Sequence, residues 1–168
     1  MSRTPNFFVE RYNSELNKYE FQHPLVWDYS HTKRVPADLF PYNGCHDLFS
    51  IVEGKGYSEF PEMKGIHYGL PKDVCEEILN EYQKYNEDED GSIDYTPKVR
   101  WFTYADMYIY FLKHPKVSSY SDEEDEGKVE IDNPIVTLKN RVDAFLEVMD
   151  GWSWEEDYSF IRIVYWID

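Results

Sequence analysis

Apolar positions in this chain recur with a period of two near its start, at three- and four-residue spacing in three later segments, and almost continuously at its close. Residues 6–12 alternate as a strand does, with Phe7, Val9 and Arg11 on one face and Phe8, Glu10 and Tyr12 on the other. The stretch 21–43 has prolines at 24, 36 and 41 and no sustained period, which predicts a long loop pinned by rings. Residues 46–52 are a short apolar run, helix or strand, closed by Gly54-Lys55-Gly56.

Three helices follow. After Leu70-Pro71, the residues Val74, Cys75, Ile78, Leu79 and Tyr82 fall on one stripe, while Lys72, Glu76, Glu77, Asn80 and Glu81 face away. A second helix is predicted from Thr103, which can cap it, with Asp106 completing a capping box. It carries Met107, Tyr108, Tyr110, Phe111 and Leu112 and stops before Pro115. The third has Asn133 as cap, Pro134 at its first position, and a stripe of Ile135, Leu138, Val142, Phe145, Leu146 and Met149 ending near Gly151. Residues 158–167 read as a strand covered on both faces. Ile161, Ile163 and Tyr165 point one way and Phe160, Val164 and Trp166 the other, with Arg162 interrupting the second row. Such a strand belongs in the interior of a sheet. The expectation is one α+β domain over residues 1–168: a mainly antiparallel sheet that includes the N- and C-terminal strands, packed with about three helices.

Composition narrows the class. Of 168 residues, 18% are aromatic and fifteen are tyrosines, so a core can be built from rings that keep a polar handle. No run approaches the roughly 18 apolar residues of a membrane span, and the first residues lack the apolar core of a signal peptide. Two cysteines, Cys45 and Cys75, are too few for a disulfide framework. A cytoplasmic setting is expected, that of the host if the chain is phage-encoded. The formal net charge of −16 repels phosphate backbones, so direct nucleic-acid binding is not expected. That charge either serves solubility or imitates DNA towards a DNA-binding partner. Residues 118–128, which hold Asp122-Glu123-Glu124-Asp125-Glu126, are expected to be an acidic mobile loop.

Several motifs invite chemistry. Residues 86–94 supply the oxygens, glycine and aliphatic residue of an EF-hand loop, but Pro97 stands where the bidentate glutamate is needed, so no tight calcium site is expected at Asp88, Asp90 and Asp94. Gly54-Lys55-Gly56-Tyr57 lacks the spacing of a phosphate loop. Cys45-His46 places a thiol beside an imidazole, yet neighbouring side chains diverge, and a dyad needs His67 or His23 brought in by the fold. No set of catalytic residues is recognisable, and neither a cofactor nor a metal is expected.

The cations cluster beside rings: His23, Trp27, Tyr29, His31, Lys33 and Arg34, then Lys64, His67 and Tyr68, then Lys98, Arg100 and Trp101, with Arg162 between Ile161 and Ile163. Rings stack bases and cations grip phosphate, so Arg162, Tyr68, Trp101, Arg100, His67 and Lys64 are the candidate ligand-binding residues. The alternative is that cationic stems lie over rings and answer nearby carboxylates.

Four segments carry a resemblance. Asp47-Leu48-Phe49, Tyr68-Gly69-Leu70-Pro71-Lys72-Asp73, Arg100-Trp101-Phe102-Thr103-Tyr104 and Arg162-Ile163-Val164-Tyr165-Trp166-Ile167-Asp168 resemble, in order, segments of an uncharacterised family of small phage and bacterial proteins. In that family they read Arg-Asn-Tyr-x-Leu-Phe, Arg-Gly-Leu-Pro-x-Asp, Ser-Trp-Leu-Thr-Leu and Arg-(Ile/Leu)-Val-Phe-Trp-Phe-Asp. Gly44-Cys45-His46 replaces the Arg-Asn-Tyr, Tyr68 replaces an Arg, and the family's paired histidines are absent where Thr96 to Val99 stand. The resemblance implies a shared fold and, by analogy, a counter-defence role.

The leading expectation is a non-catalytic protein that sequesters a small anionic, nucleotide-like ligand. The alternative is an acidic protein-binding or DNA-mimicking inhibitor of a host protein, and a hydrolase comes third. Arg162 decides between the first two. Bordering a cavity shared with Tyr68 or Trp101, it favours the ligand; fully paired to carboxylates, it favours the acidic-face inhibitor.

Overall fold

Strands with apolar residues on both faces need cover on both sides, and the fold supplies it. The computed structural model describes residues 5–22, 25–27, 31–32, 34–36, 51–52, 60–84, 98–120, 127–150 and 160–167. The closing strand, β9 (Ile161–Ile167), lies at the centre of a five-stranded antiparallel sheet. It pairs on one side with β1 (Pro5–Asn13) and on the other with β6 (Arg100–Thr103). Beyond β1 lies β2 (Lys18–Phe21), and beyond β6 lies the two-residue β5 (His67–Tyr68). Two further hairpins stand apart from this sheet, β3 (Leu25–Trp27) with β4 (Arg34–Pro36) and β7 (Lys116–Tyr120) with β8 (Lys128–Asp132).

The predicted faces of β9 sort its side chains into two cores. Ile161, Ile163 and Tyr165 join Phe7, Val9 and Phe102 beneath α2 (Tyr104–Lys113) and α3 (Ile135–Asp150). Those helices contribute Tyr104, Met107, Tyr110, Ile135, Leu138, Val142 and Leu146, all buried. On the other face Val164 and Trp166 meet Phe8, Cys75 and Ile78, and α1 (Glu76–Gln83) covers them. Phe8 and Tyr82 lie against the Trp166 ring at centroid distances of 4.8 and 5.6 Å. Fully covered on both faces, residues 161–166 are buried throughout, and exposed Phe160 precedes the strand.

Helix starts follow the caps. Thr103 and Asp106 form the capping box of α2, and Asn133 accepts the Ile135 N–H at 3.0 Å to begin α3. The first helix begins later than its stripe predicts. The Val74 N–H bonds back to Pro71 O at 3.2 Å, closing a turn, and the helix starts only at Glu76.

Three expectations are corrected. The stretch 21–43 contains the hairpin β3–β4 rather than a continuous loop. Ser118, Ser119, Tyr120 and Lys128 belong to strands β7 and β8, whose ladder reaches Tyr120 opposite Lys128, while 121–126 lie outside the described residues. The final strand starts at Ile161 rather than 158. Of the run 46–52, Ile51 and Val52 are helical and buried, and Val52 O accepts the Tyr165 hydroxyl at 2.8 Å. No helix among the described residues is long and apolar enough to cross a membrane.

Candidate functional site

Glu10 and Arg162 face each other across the β1–β9 ladder, each the single charged position on an otherwise apolar row. Glu10 is 0% exposed and Arg162 4%. The Arg162 Nε donates to Glu10 Oε1, and Nη2 pairs with the same oxygen. The other Glu10 oxygen accepts the Cys75 N–H at 2.9 Å, just before α1. Toward the surface, Arg162 Nη1 donates to Asp73 Oδ1 at 2.8 Å and Nη2 to Asp73 O at 3.4 Å. Tyr19 and Trp101 flank the guanidinium, with ring centroids 3.6 and 5.1 Å from its carbon. The guanidinium is therefore answered by two carboxylates, a carbonyl and two rings.

Burial pushes the Glu10 carboxyl above the usual range, against the opposing pull of Arg162 and the Cys75 N–H. Burial, reinforced by the Glu10 carboxylate, pushes the Cys75 thiol far up, so it is no ready nucleophile. Cys45, His46 and residues 54–57 and 86–94 lie outside the described residues, and with them the dyad, glycine-turn and calcium readings. No group of His, Cys, Asp and Glu able to hold a metal occurs among the described residues.

The ladder divides the remaining candidates. Residues opposite one another in an antiparallel pair share a face. His67 pairs with Trp101 and Trp101 with Val164, which puts both on the α1 face; their rings stack at 4.0 Å. A row of His67, Trp101, Arg162 and Tyr19 thus crosses that face. Tyr68 pairs with Arg100 and Arg100 with Tyr165, which puts these two on the opposite face, the Arg100 guanidinium 5.0 Å from the Tyr68 ring centroid. Lys64 is exposed ahead of β5. The structure therefore divides the six residues between the two faces: Trp101 lies beside Arg162, whereas Tyr68 and Arg100 lie on the other face. The odd-even step from Tyr68 to His67 and from Arg100 to Trp101 separates them.

Two concavities are instead formed, at opposite edges of the sheet. A cleft of about 420 Å³ runs between β2 and the segment 73–77. Among the described residues its wall carries Glu20, Asp73, Glu76 and Glu77 with Lys18, over Tyr19, Phe21 and Val74. Beside β5, a pocket of about 280 Å³ is lined by Tyr68, Gly69, Leu70, Tyr82, Lys98, Val99 and Arg100. The Gly69 N–H bonds to Val99 O at 2.8 Å and extends the ladder to the pocket floor.

Sequence reasoning singled out neither Glu10 nor Asp73 as a partner of Arg162, nor Lys98, Leu70 and Tyr82 as neighbours of Tyr68. The signal for Glu10 was present: an acid on an apolar row of one terminal strand and an arginine on an apolar row of the other. Comparison with protein-family models, curated proteins and solved structures finds no match to this chain.

Proposed function

We propose that this chain is a non-catalytic binding protein whose acidic face engages a basic partner protein, as an inhibitor or a DNA mimic. The observation that carries this reading is the cleft between β2 and residues 73–77, where, among the described residues, Glu20, Glu76 and Glu77 face Lys18 beside the Arg162-paired Asp73, above a partly aromatic floor. A cationic side chain entering it gains the field of these carboxylates and of a chain whose formal charge is −16. The internal pairing of Arg162 supports the same reading, because it takes away the cation on which the small-ligand alternative was centred. The resemblance to small phage and bacterial proteins supports counter-defence as the setting.

The test is equilibrium binding of the intact chain to a panel of purified basic DNA-binding domains, with duplex DNA as competitor. Binding of at least one domain in competition with DNA is expected. The paired reversal Glu76→Lys, Glu77→Lys should weaken it about tenfold or more, roughly 1.4 kcal/mol per decade. Both side chains are exposed, so the fold is expected to survive. Binding that ignores the reversal, or its absence across the panel, overturns the proposal.

A further inference from the structure

The pocket at the β5–β6 edge has a chemistry opposite to that of the rest of the surface. Tyr68 is 80% exposed, an unusual state for a large ring, and one of its faces is already occupied by the Arg100 guanidinium. Leu70, Val99 and Tyr82 supply an apolar floor, and Lys98 brings a second cation from the residue before. A planar ring can extend the Tyr68–Arg100 stack on the open side, since ring-on-ring stacking accepts any π-face. Lys98 then meets an anionic group attached to that ring as a point charge, in the field of the neighbouring Arg100 cation. At about 280 Å³ the pocket lies just below the span of sites that enclose drug-sized ligands, which suits one base and one phosphate rather than a dinucleotide.

We infer that this pocket is a binding site for a mononucleotide-like ligand, a single heteroaromatic ring carrying one phosphate, held by Tyr68, Tyr82, Lys98 and Arg100. The site is separate from the acidic cleft and shares no lining residue with it. It neither needs nor excludes the protein-binding reading. Binding requires no chemistry on the ligand.

The experiment is calorimetric titration of the intact chain with the four ribonucleoside 5′-monophosphates, each alongside its nucleoside and inorganic phosphate. Saturable binding of at least one monophosphate is expected, weaker for its nucleoside and weakest for phosphate alone. Tyr68→Ala should weaken it about tenfold, the range of a lost stacked base. Lys98→Ala with Arg100→Ala should bring the monophosphate down to the affinity of its nucleoside. Tyr68 is exposed, so a urea midpoint equal to wild type is expected for Tyr68→Ala and checks that the fold is intact. Glu76→Lys with Glu77→Lys should leave nucleotide binding in place, which separates failure of this site from failure of the acidic cleft. No saturable binding of any monophosphate, or binding indifferent to both Tyr68→Ala and the double cation variant, overturns the inference.

Discussion

Removing Arg162 should unfold a large part of this protein's stability margin. In Arg162→Met the apolar stem is kept and the charge lost, which leaves Glu10, at 0% exposure, with the Cys75 N–H as its hydrogen-bond donor among the described residues. Stranding one member of a buried ion pair costs about 3–5 kcal/mol, against the roughly 5–15 kcal/mol that holds a domain folded. With a urea slope of about 1–3 kcal/mol per molar, the midpoint should fall by roughly 1–5 M. Asp73→Ala removes the outer partner, whose side chain is 64% exposed, and should cost below about 1 kcal/mol. The double variant Glu10→Leu, Arg162→Met replaces the pair by apolar side chains and should recover most or all of the loss. Urea unfolding followed by tryptophan fluorescence reads all three. A pH series adds a sign. Burial raises the folded pKa of Glu10 above its unfolded value, so the folded chain binds the extra proton, and this site's contribution to stability grows as pH falls through the folded pKa. The deficit of Arg162→Met should therefore shrink on acidification. An Arg162→Met variant no less stable than Asp73→Ala, or a double variant no better than the single, would refute the reasoning.

Two further outcomes follow from the packing on the other face. The Tyr110 hydroxyl donates to Pro61 O at 2.7 Å, and burial pushes its pKa from 10.0 up to about 12. Stability from this group is full below pH 10.0 and lost as pH rises toward about 12. Tyr110→Phe should cost about 1 kcal/mol at neutral pH and flatten the alkaline limb of a midpoint-against-pH curve. Gly65 has φ +89°, and a Cβ there would lie 2.5 Å from the Asp106 Cγ in the cap of α2. Gly65→Ala should combine backbone strain with a disturbed cap and lower stability by about 2 kcal/mol or more, read as a fall in the urea midpoint.

What was legible in the sequence was whatever depends on local pattern. The two faces of residues 161–166, the alternation of residues 6–12, the Thr103–Asp106 cap and the Asn133 start are all set by neighbours along the chain. The strand β2 was also written locally and went unread. Asn13 accepts the Glu15 and Leu16 N–H groups, and Asn17 takes φ 53°, a conformation asparagine tolerates better than most residues. Tyr19 and Phe21 then return along β1 to the second core. The hairpin β7–β8 gave less signal, since in β7 the buried apolar residue is Val117 and the ladder is backbone-held. The site was the least legible part. Arg162 meets a carboxylate 152 positions earlier and another 89 positions earlier, and no period or spacing chooses those acids among 33. Residue identity suggested a ligand cation; the pairing order of the sheet made it a buried counterion.

The two binding proposals can be told apart by their response to salt. A basic partner approaching the cleft is drawn by the summed field of a chain of charge −16, most of it acting over distances longer than the roughly 8 Å screening length at physiological ionic strength. Raising salt removes that long-range attraction first, so association should slow and affinity should fall steeply. A mononucleotide at the β5–β6 edge is repelled by the same field and held by Lys98 and Arg100 at contact range, where screening is weakest. Salt therefore removes more of its repulsion than of its attraction, and the stacking on Tyr68 is indifferent to it. Nucleotide affinity should stay level or rise over the range in which partner affinity falls. Parallel stopped-flow and calorimetric series on the same preparation give both slopes. If the two affinities fall together, attraction at the Lys98–Arg100 pair outweighs the repulsion of the net charge, and the reasoning that salt relieves more repulsion than attraction at that edge is wrong.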